Sequence, residues 1–221
     1  MNAARVQQPQ SEPKPAQVNW LELDRSPHAV HFYSSEGFLL DSLSRFVGTA
    51  LEAGDSCLVF ASKAHLEGLA ERLSARGVDT DKATKSGRYV TLDNSQVLAR
   101  LTVNGEPNRA RFDEFVREVI LPLKDAAEGR QVAVCGQLAP LLWAQGKPEA
   151  AIELEHFWNE LTRQDRVRLR CFYPIASFSD SRQSELFLKL CAEHASAIPP
   201  ESDFHNLAAQ VEQLESSPSD K

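Results

Sequence analysis

Short apolar segments alternate with longer segments of helical periodicity along most of the chain. A continuous apolar run such as SCLVFA is typical of a strand covered on both faces, whereas apolar residues three and four apart predict an amphipathic helix. The pattern predicts five strands, at residues 28–33, 56–61, 88–92, 132–135 and 167–173. It predicts helices over residues 35–53, 63–76, 95–101, 109–127, 138–146, 148–163 and 181–195. Pro122 is expected to kink the helix over 109–127.

Strands separated by helices, about five times over, predict an α/β fold with a mostly parallel sheet and helices on both faces, a three-layer αβα sandwich. We expect a disordered leader over residues 1–24, one domain over 25–200, and a tail over 201–221 with a short amphipathic helix. Ligands of such sheets bind beyond the carboxyl ends of the strands. The segments after the first, fourth and fifth predicted strands are therefore the expected site.

Composition narrows the classes of partner. The chain is 42% hydrophobic and 25% charged, with a formal net charge of −7, so direct binding of nucleic acid is disfavoured. No apolar run approaches the length of a membrane helix, and the first residues lack the apolar core of a signal peptide. All four cysteines lie in apolar segments without metal-ligand spacing. They are interpreted as reduced core thiols, which predicts a cytoplasmic protein with neither metal nor cofactor.

The turn after the first predicted strand reads Tyr33-Ser34-Ser35-Glu36-Gly37. A phosphate-binding loop needs convergent N–H groups and a lysine, but this turn has no lysine and carries an acidic residue. Ser34 or Ser35 is expected to cap the following helix. Because the chain also lacks the GxSxG and HExxH motifs, we expect no catalytic residues and no ATP hydrolysis.

Polar side chains nevertheless follow the expected strand ends. The candidate ligand-binding residues are His31, Tyr33, Ser34, Gln137, Trp143, Glu155, Asn159 and Tyr173. His31 and Tyr33 share one face of a strand, and Glu155 and Asn159 share one face of a helix. Aromatic walls with a few polar groups are typical of small-molecule sites. Each side chain also has a structural alternative, such as a hydrogen bond within the core.

The segments HAVHFYSSEGFLLDSLSRFV, VAVCGQLAPLLWAQGKPEAAIELEHFWNEL, LRCFYPIASF and LCAEHASAIP together resemble the MEDS family of sensory domains. The resemblance implies a degenerate RecA/KaiC-like fold without a phosphate loop, and a regulatory module that recognises small organic compounds. The family pattern carries over at His28, His31, Tyr33, Gly136, Glu155, Asn159, Cys171, Tyr173 and His194. Family members often carry Glu where this chain has Gln137. The expected pocket mouth of this chain therefore lacks that negative charge.

The sequence thus predicts a non-catalytic sensory domain that binds a small organic molecule and regulates a partner, such as a histidine kinase or a transcriptional regulator. Whether it forms a homo-oligomer is left open. One alternative is a protein-interaction module with a vestigial pocket. A second is a residual nucleotide-binding protein.

Overall fold

The computed structural model describes residues 26–164, 166–179 and 183–201. The predicted leader and the predicted tail helix around residues 207–214 lie outside these ranges. The helices are α1 Glu36–Glu52, α2 Lys63–Ala75, α3 Thr80–Lys85, α4 Asn94–Leu101, α5 Arg109–Phe115, α6 Leu121–Ala126, α7 Ala139–Ala144, α8 Pro148–Gln164 and α9 Ser184–Ala192. The strands are β1 His28–Tyr33, β2 Ser56–Ala61, β3 Tyr89–Asp93, β4 Thr102–Val103, β5 Glu106–Pro107, β6 Val132–Gly136, β7 Val167–Pro174 and β8 Ser196–Ile198.

Six strands form one parallel sheet in the order β3–β2–β6–β7–β1–β8, which confirms the predicted α/β fold. The strand order reverses between β2 and β6, because β2 leads to its neighbour β3 on one side and β6 leads to β7 on the other. The ligand crevice of an open parallel sheet lies at such a reversal. The carboxyl ends of β2 and β6 therefore mark the place to look for a site.

Helices cover both faces of the sheet and enclose two apolar cores. The core between the sheet and α1 to α3 contains Leu43, Leu69 and Phe172, and the core under α4 to α9 contains Phe112, Trp158 and other large side chains. Side chains alternate along β1, so Val30 and Phe32 enter the second core and Tyr33 enters the first. His31 packs on Phe38 and Phe172, which confirms that it shares the face of Tyr33.

The predicted helix over 109–127 forms as α5 and α6 joined by a π-helical segment, Val116–Ile120. Pro122 has no N–H group and cannot continue an unbroken helical ladder. The wider π turn, in which the N–H of Leu121 donates to the carbonyl of Val116, lies immediately before this proline. The hydrogen-bond register thus changes locally before the proline, and the kink expected at Pro122 stays a prediction.

Among the described residues, helix α3, strand β8, the β4–β5 pair and a 3₁₀ segment at Ile175–Phe178 were not predicted. The pair turns at Asn104 and Gly105, whose φ angles of 55° and 78° suit a two-residue hairpin loop. Within the described part of the chain, no helix combines the length and hydropathy needed to cross a bilayer.

Candidate functional site

Gln137 lies at the centre of a hydrogen-bonded network at the carboxyl edge of the sheet. Its amide nitrogen donates to the hydroxyl of Tyr33 at 2.8 Å, and its amide oxygen lies 2.8 Å from Nδ1 of His65. Asn94 donates a longer bond, of 3.4 Å, to the backbone carbonyl of Gln137. Because these residues end or follow β1, β2, β3 and β6, the network occupies the reversal point at which a ligand is expected.

Gly136 allows β6 to reach this network. Its φ angle is 150°, and a β-carbon at this position would lie 2.1 Å from the carbonyl oxygen of Phe60. The N–H of Gln137 donates to the same carbonyl at 3.1 Å. The close contact between β6 and β2 thus requires glycine, and it fixes the backbone from which the Gln137 side chain extends.

The turn between β1 and α1 holds a carboxylate from the same chain. Ser35 caps α1 by accepting a hydrogen bond from the N–H of Phe38 at 3.3 Å, as predicted. The N–H of Ser34 donates to Oε2 of Glu201 at 3.0 Å. Burial raises the pKa of Glu201, but the hydrogen bonds from Ser34 and Ser35 outweigh it, and the pKa falls to about 2. The first turn of α1, which favours anions, therefore meets a charged carboxylate.

A second polar group, which we call the Glu155 cluster, lies inside the core between β1, β7 and α8. It consists of His28, Glu155, Cys171, Tyr173 and His194, all of them buried. The Tyr173 hydroxyl donates to Oε1 of Glu155 at 2.8 Å. The other carboxylate oxygen, Oε2, lies 3.1 Å from Sγ of Cys171, 3.3 Å from Nε2 of His28 and 3.6 Å from Nε2 of His194.

The environment of the cluster decides which of its members carry charge. Burial raises the pKa of Glu155, but attraction to His194 and the hydrogen bond from His28 outweigh it, so that the pKa falls to about 2. Burial lowers the pKa of His194 to about 4. Burial and the neighbouring carboxylate raise the pKa of Cys171 and of Tyr173 well above their usual values. At neutral pH the buried carboxylate of Glu155 thus lies beside a neutral His194 imidazole, a Cys171 thiol and a Tyr173 phenol.

The family model for MEDS, the methanogen/methylotroph, DcmR sensory domain, matches residues 27–188. The chain belongs to the MEDS family. This membership confirms the resemblance seen in the sequence and indicates a sensory or signalling role. A search of curated proteins found no match. The range matched by the MEDS model includes His28, Glu155 and Gln137, while His194 and Glu201 lie beyond it.

The eight candidate residues of this MEDS chain fall into separate places. Tyr33, Ser34 and Gln137 lie at the carboxyl edge, and Glu155 and Tyr173 lie together in the Glu155 cluster. His31 packs between Phe38 and Phe172 on the opposite side of the sheet from Glu155. The described residues therefore show two polar sites rather than one continuous crevice.

The two remaining candidates point elsewhere. The indole N–H of Trp143 donates to the carbonyl of Ser177 at 3.2 Å, and its ring packs on Phe178. Asn159 donates to Oε2 of Glu193 at 3.3 Å. Both side chains tie α7 or α8 to neighbouring segments. That they bind a ligand stays a prediction.

Sequence reasoning missed three residues at the carboxyl edge of the sheet: His65 and Asn94, which bond to Gln137, and Glu201, which bonds to Ser34. His65 and Asn94 follow β2 and β3, so extending the strand-end rule to every strand would have found them. Ser34 and Glu201 are 167 residues apart in the sequence, and no local sequence pattern predicts a contact between them. His28, Cys171 and His194 were noted only as family positions or as structural groups.

Proposed function

We propose that this MEDS domain is a non-catalytic sensor that binds a small organic molecule at the carboxyl edge of its sheet and regulates a partner protein. The observation that carries the proposal is the hydrogen bond from the N–H of Ser34 to the carboxylate of Glu201. In many α/β proteins the corresponding turn holds the ligand's anionic group. Here the chain itself supplies the anionic group, which an external ligand can replace.

The chemistry of the turn favours a small organic carboxylate as the ligand. A free carboxylate can accept the same N–H bond that Glu201 now accepts, with Tyr33 and Gln137 as polar neighbours. A triphosphate would bring several negative charges close to Glu36, the first residue of α1, and no lysine lies in the turn to neutralise them. A singly charged acid fits this balance better than a nucleotide.

Replacement of Glu201 would connect ligand binding to signalling. Glu201 follows β8 after only two prolines, and the chain continues from it to residue 221. A ligand shifts a conformational equilibrium only if it binds the two states with different affinity. An acid that competes with Glu201 meets this condition, because it binds only the state in which Glu201 has left the turn. A histidine kinase or transcriptional regulator would then recognise the released segment.

The test is a thermal-shift and calorimetric screen of the full chain against small carboxylic acids and the matching primary amides. A binding acid at a hundredfold excess over its Kd should stabilise the fold by about 2.7 kcal/mol, and its amide should not. Glu201→Ala should bind the same acid with a lower Kd, because the internal competitor is gone. Glu185→Ala is the control, since Glu185 is an exposed carboxylate that pairs with Lys189 on α9.

Two outcomes would overturn the proposal. If no acid stabilises the protein while a partner is captured from lysate, the domain is an interaction module with a vestigial pocket. If magnesium ATP binds and the acids do not, the nucleotide-binding alternative is correct.

A further inference from the structure

We infer that His28, Glu155, Cys171 and His194 form a site for a divalent transition-metal ion, with zinc as the best chemical match. One potential donor atom from each residue lies within 4.8 Å of all the others. The four residues come from β1, α8, β7 and the segment between α9 and β8. The inference is independent of the proposed ligand site, which lies at the carboxyl edge.

Four of the distances between donor atoms are close to those of tetrahedral coordination. Oε2 of Glu155 lies 3.1 to 3.6 Å from the other three donors, and Nε2 of His28 lies 3.4 Å from Sγ of Cys171. Neighbouring ligands of a tetrahedral zinc ion with ordinary bond lengths are about 3.3 to 3.8 Å apart. A cavity of about 10 Å³ borders Glu155 and Cys171 on the side of Trp158, next to the donors rather than between them.

His194 already holds the tautomer of a metal ligand. Its Nδ1 lies 2.8 Å from the carbonyl oxygen of Leu190, and because a carbonyl only accepts, Nδ1 carries the proton. In the neutral ring Nε2 then has a lone pair, which is directed at a carboxylate oxygen 3.6 Å away. This buried Nε2 has no hydrogen-bond partner among the described residues. Two electron-rich atoms face each other, and a cation between them would satisfy both.

The residues around the donors hold them in place. Tyr173 occupies Oε1 of Glu155, which leaves Oε2 to face the other three donors. The carbonyl of Leu190 orients the ring of His194 in the same way. Metal-binding carboxylates and imidazoles are ordinarily held by such secondary hydrogen bonds. The cluster thus has both the ligands of a metal site and their supports.

Donor type and charge select the metal. One thiolate, two imidazoles and one carboxylate suit zinc and related transition metals, whereas calcium and magnesium prefer oxygen ligands. On binding, the Cys171 thiol releases its proton to solvent and Sγ bonds to the metal. His194 binds through Nε2 and keeps its proton on Nδ1. His28, which donates from Nε2 to Glu155 in the metal-free protein, releases that proton to solvent, takes one up on Nδ1 and binds through Nε2. A dication with one carboxylate and one thiolate is neutral overall, which suits a buried site. Four protein ligands fill the coordination sphere, as in structural zinc sites.

The test is metal analysis of the full chain, purified with a tag that contains no histidine. We expect close to one zinc ion per chain by mass spectrometry. After unfolding with a chelator and refolding with cobalt(II), we expect the visible bands of tetrahedral cobalt and a sulfur-to-cobalt charge-transfer band.

Variants locate the ion. Cys171→Ser should abolish the charge-transfer band, while Cys135→Ser, at an equally buried cysteine on the opposite face of the sheet, should retain it. Tyr173→Phe, which keeps all four ligands, should weaken metal affinity by about 10- to 100-fold. The inference is overturned if the refolded wild-type chain binds neither zinc nor cobalt, or if Cys171→Ser keeps the charge-transfer band.

Discussion

The hydroxyl of Tyr173 donates a hydrogen bond of 2.8 Å to Oε1 of Glu155 in the interior of the protein. Both side chains are buried, so water is poorly placed to replace the bond. The pair joins β7 to α8 and fixes the orientation of the carboxylate. Loss of this hydrogen bond should therefore lower the free energy of unfolding.

We expect Tyr173→Phe to lower the free energy of unfolding by about 1 to 3 kcal/mol, the cost of a buried acceptor left without its donor. Urea denaturation followed by circular dichroism measures the effect. Tyr89→Phe is the matched control, because the Tyr89 hydroxyl makes no hydrogen bond within the described residues and Tyr89 is also largely buried. Equal losses in the two variants would contradict the prediction.

Gly136→Ala should destabilise the protein severely, by at least about 3 kcal/mol, because overpacking and an unfavourable φ angle act together. The new methyl group would lie 2.1 Å from the backbone oxygen of Phe60. Gly37→Ala should instead stabilise by about 0.5 to 1 kcal/mol, since Gly37 lies in α1 with open space around it. Melting temperatures of both variants check the opposite signs.

Gln137→Leu should cost about 1 to 3 kcal/mol of unfolding free energy, because the side chains of Tyr33 and His65 lose their shared partner. It should also raise the Kd of any carboxylate found in the ligand screen. Gln145→Leu, at an exposed position after α7, controls for the change in polarity. Chemical denaturation gives the first quantity and calorimetry gives the second. Unchanged stability would show that the network contributes nothing measurable.

The pH dependence of stability should report His31. Burial, together with Arg45 and Arg170, lowers the pKa of His31 to about 3 from an ordinary value of 6.5, against the opposing effect of Glu201. Between these values the unfolded chain binds a proton that the folded chain does not. Stability should therefore fall as the pH drops below 6.5, with a slope of up to about 1.4 kcal/mol per pH unit from this group.

His31→Gln should reduce the slope between pH 5 and 6.5, while the part that His194 contributes through its own lowered pKa remains. The wild-type chain, studied over the same pH range, is the reference for this change in slope. Urea denaturation at several pH values gives both slopes. An unchanged slope in His31→Gln would refute the assignment.

Most of the fold could be predicted from the sequence because its strands are continuous apolar runs and its helices have regular apolar spacing. SCLVFA is an example: the predicted and observed strands coincide at Ser56–Ala61. Strand β8 was missed because three residues carry no measurable period. The π-helical segment was missed because its cause, the missing N–H of Pro122, is visible in the sequence but the register that accommodates it is not.

The candidate site could be predicted only where local rules apply. Strand-end position placed Tyr33 and Gln137 at one edge, and they are hydrogen bonded. The same rule gave no reason to separate them from Glu155, which lies on the other face of the sheet. The contacts of His194 and Glu201 come from tertiary packing, and the sequence around them gives no periodic signal.

Strand β8 is three residues long, and within the described residues β1 is its one partner, at the margin of the sheet. His194 lies just before β8 and Glu201 lies just after it. The residues that flank this one strand thus contribute to both polar sites. Detachment of so short a strand requires few backbone hydrogen bonds to break, and such local opening is the least costly kind of unfolding. Detachment of β8 would thus remove His194 from the Glu155 cluster and Glu201 from the turn after β1 at the same time. The geometry of both polar sites therefore depends on the pairing of β8 with β1.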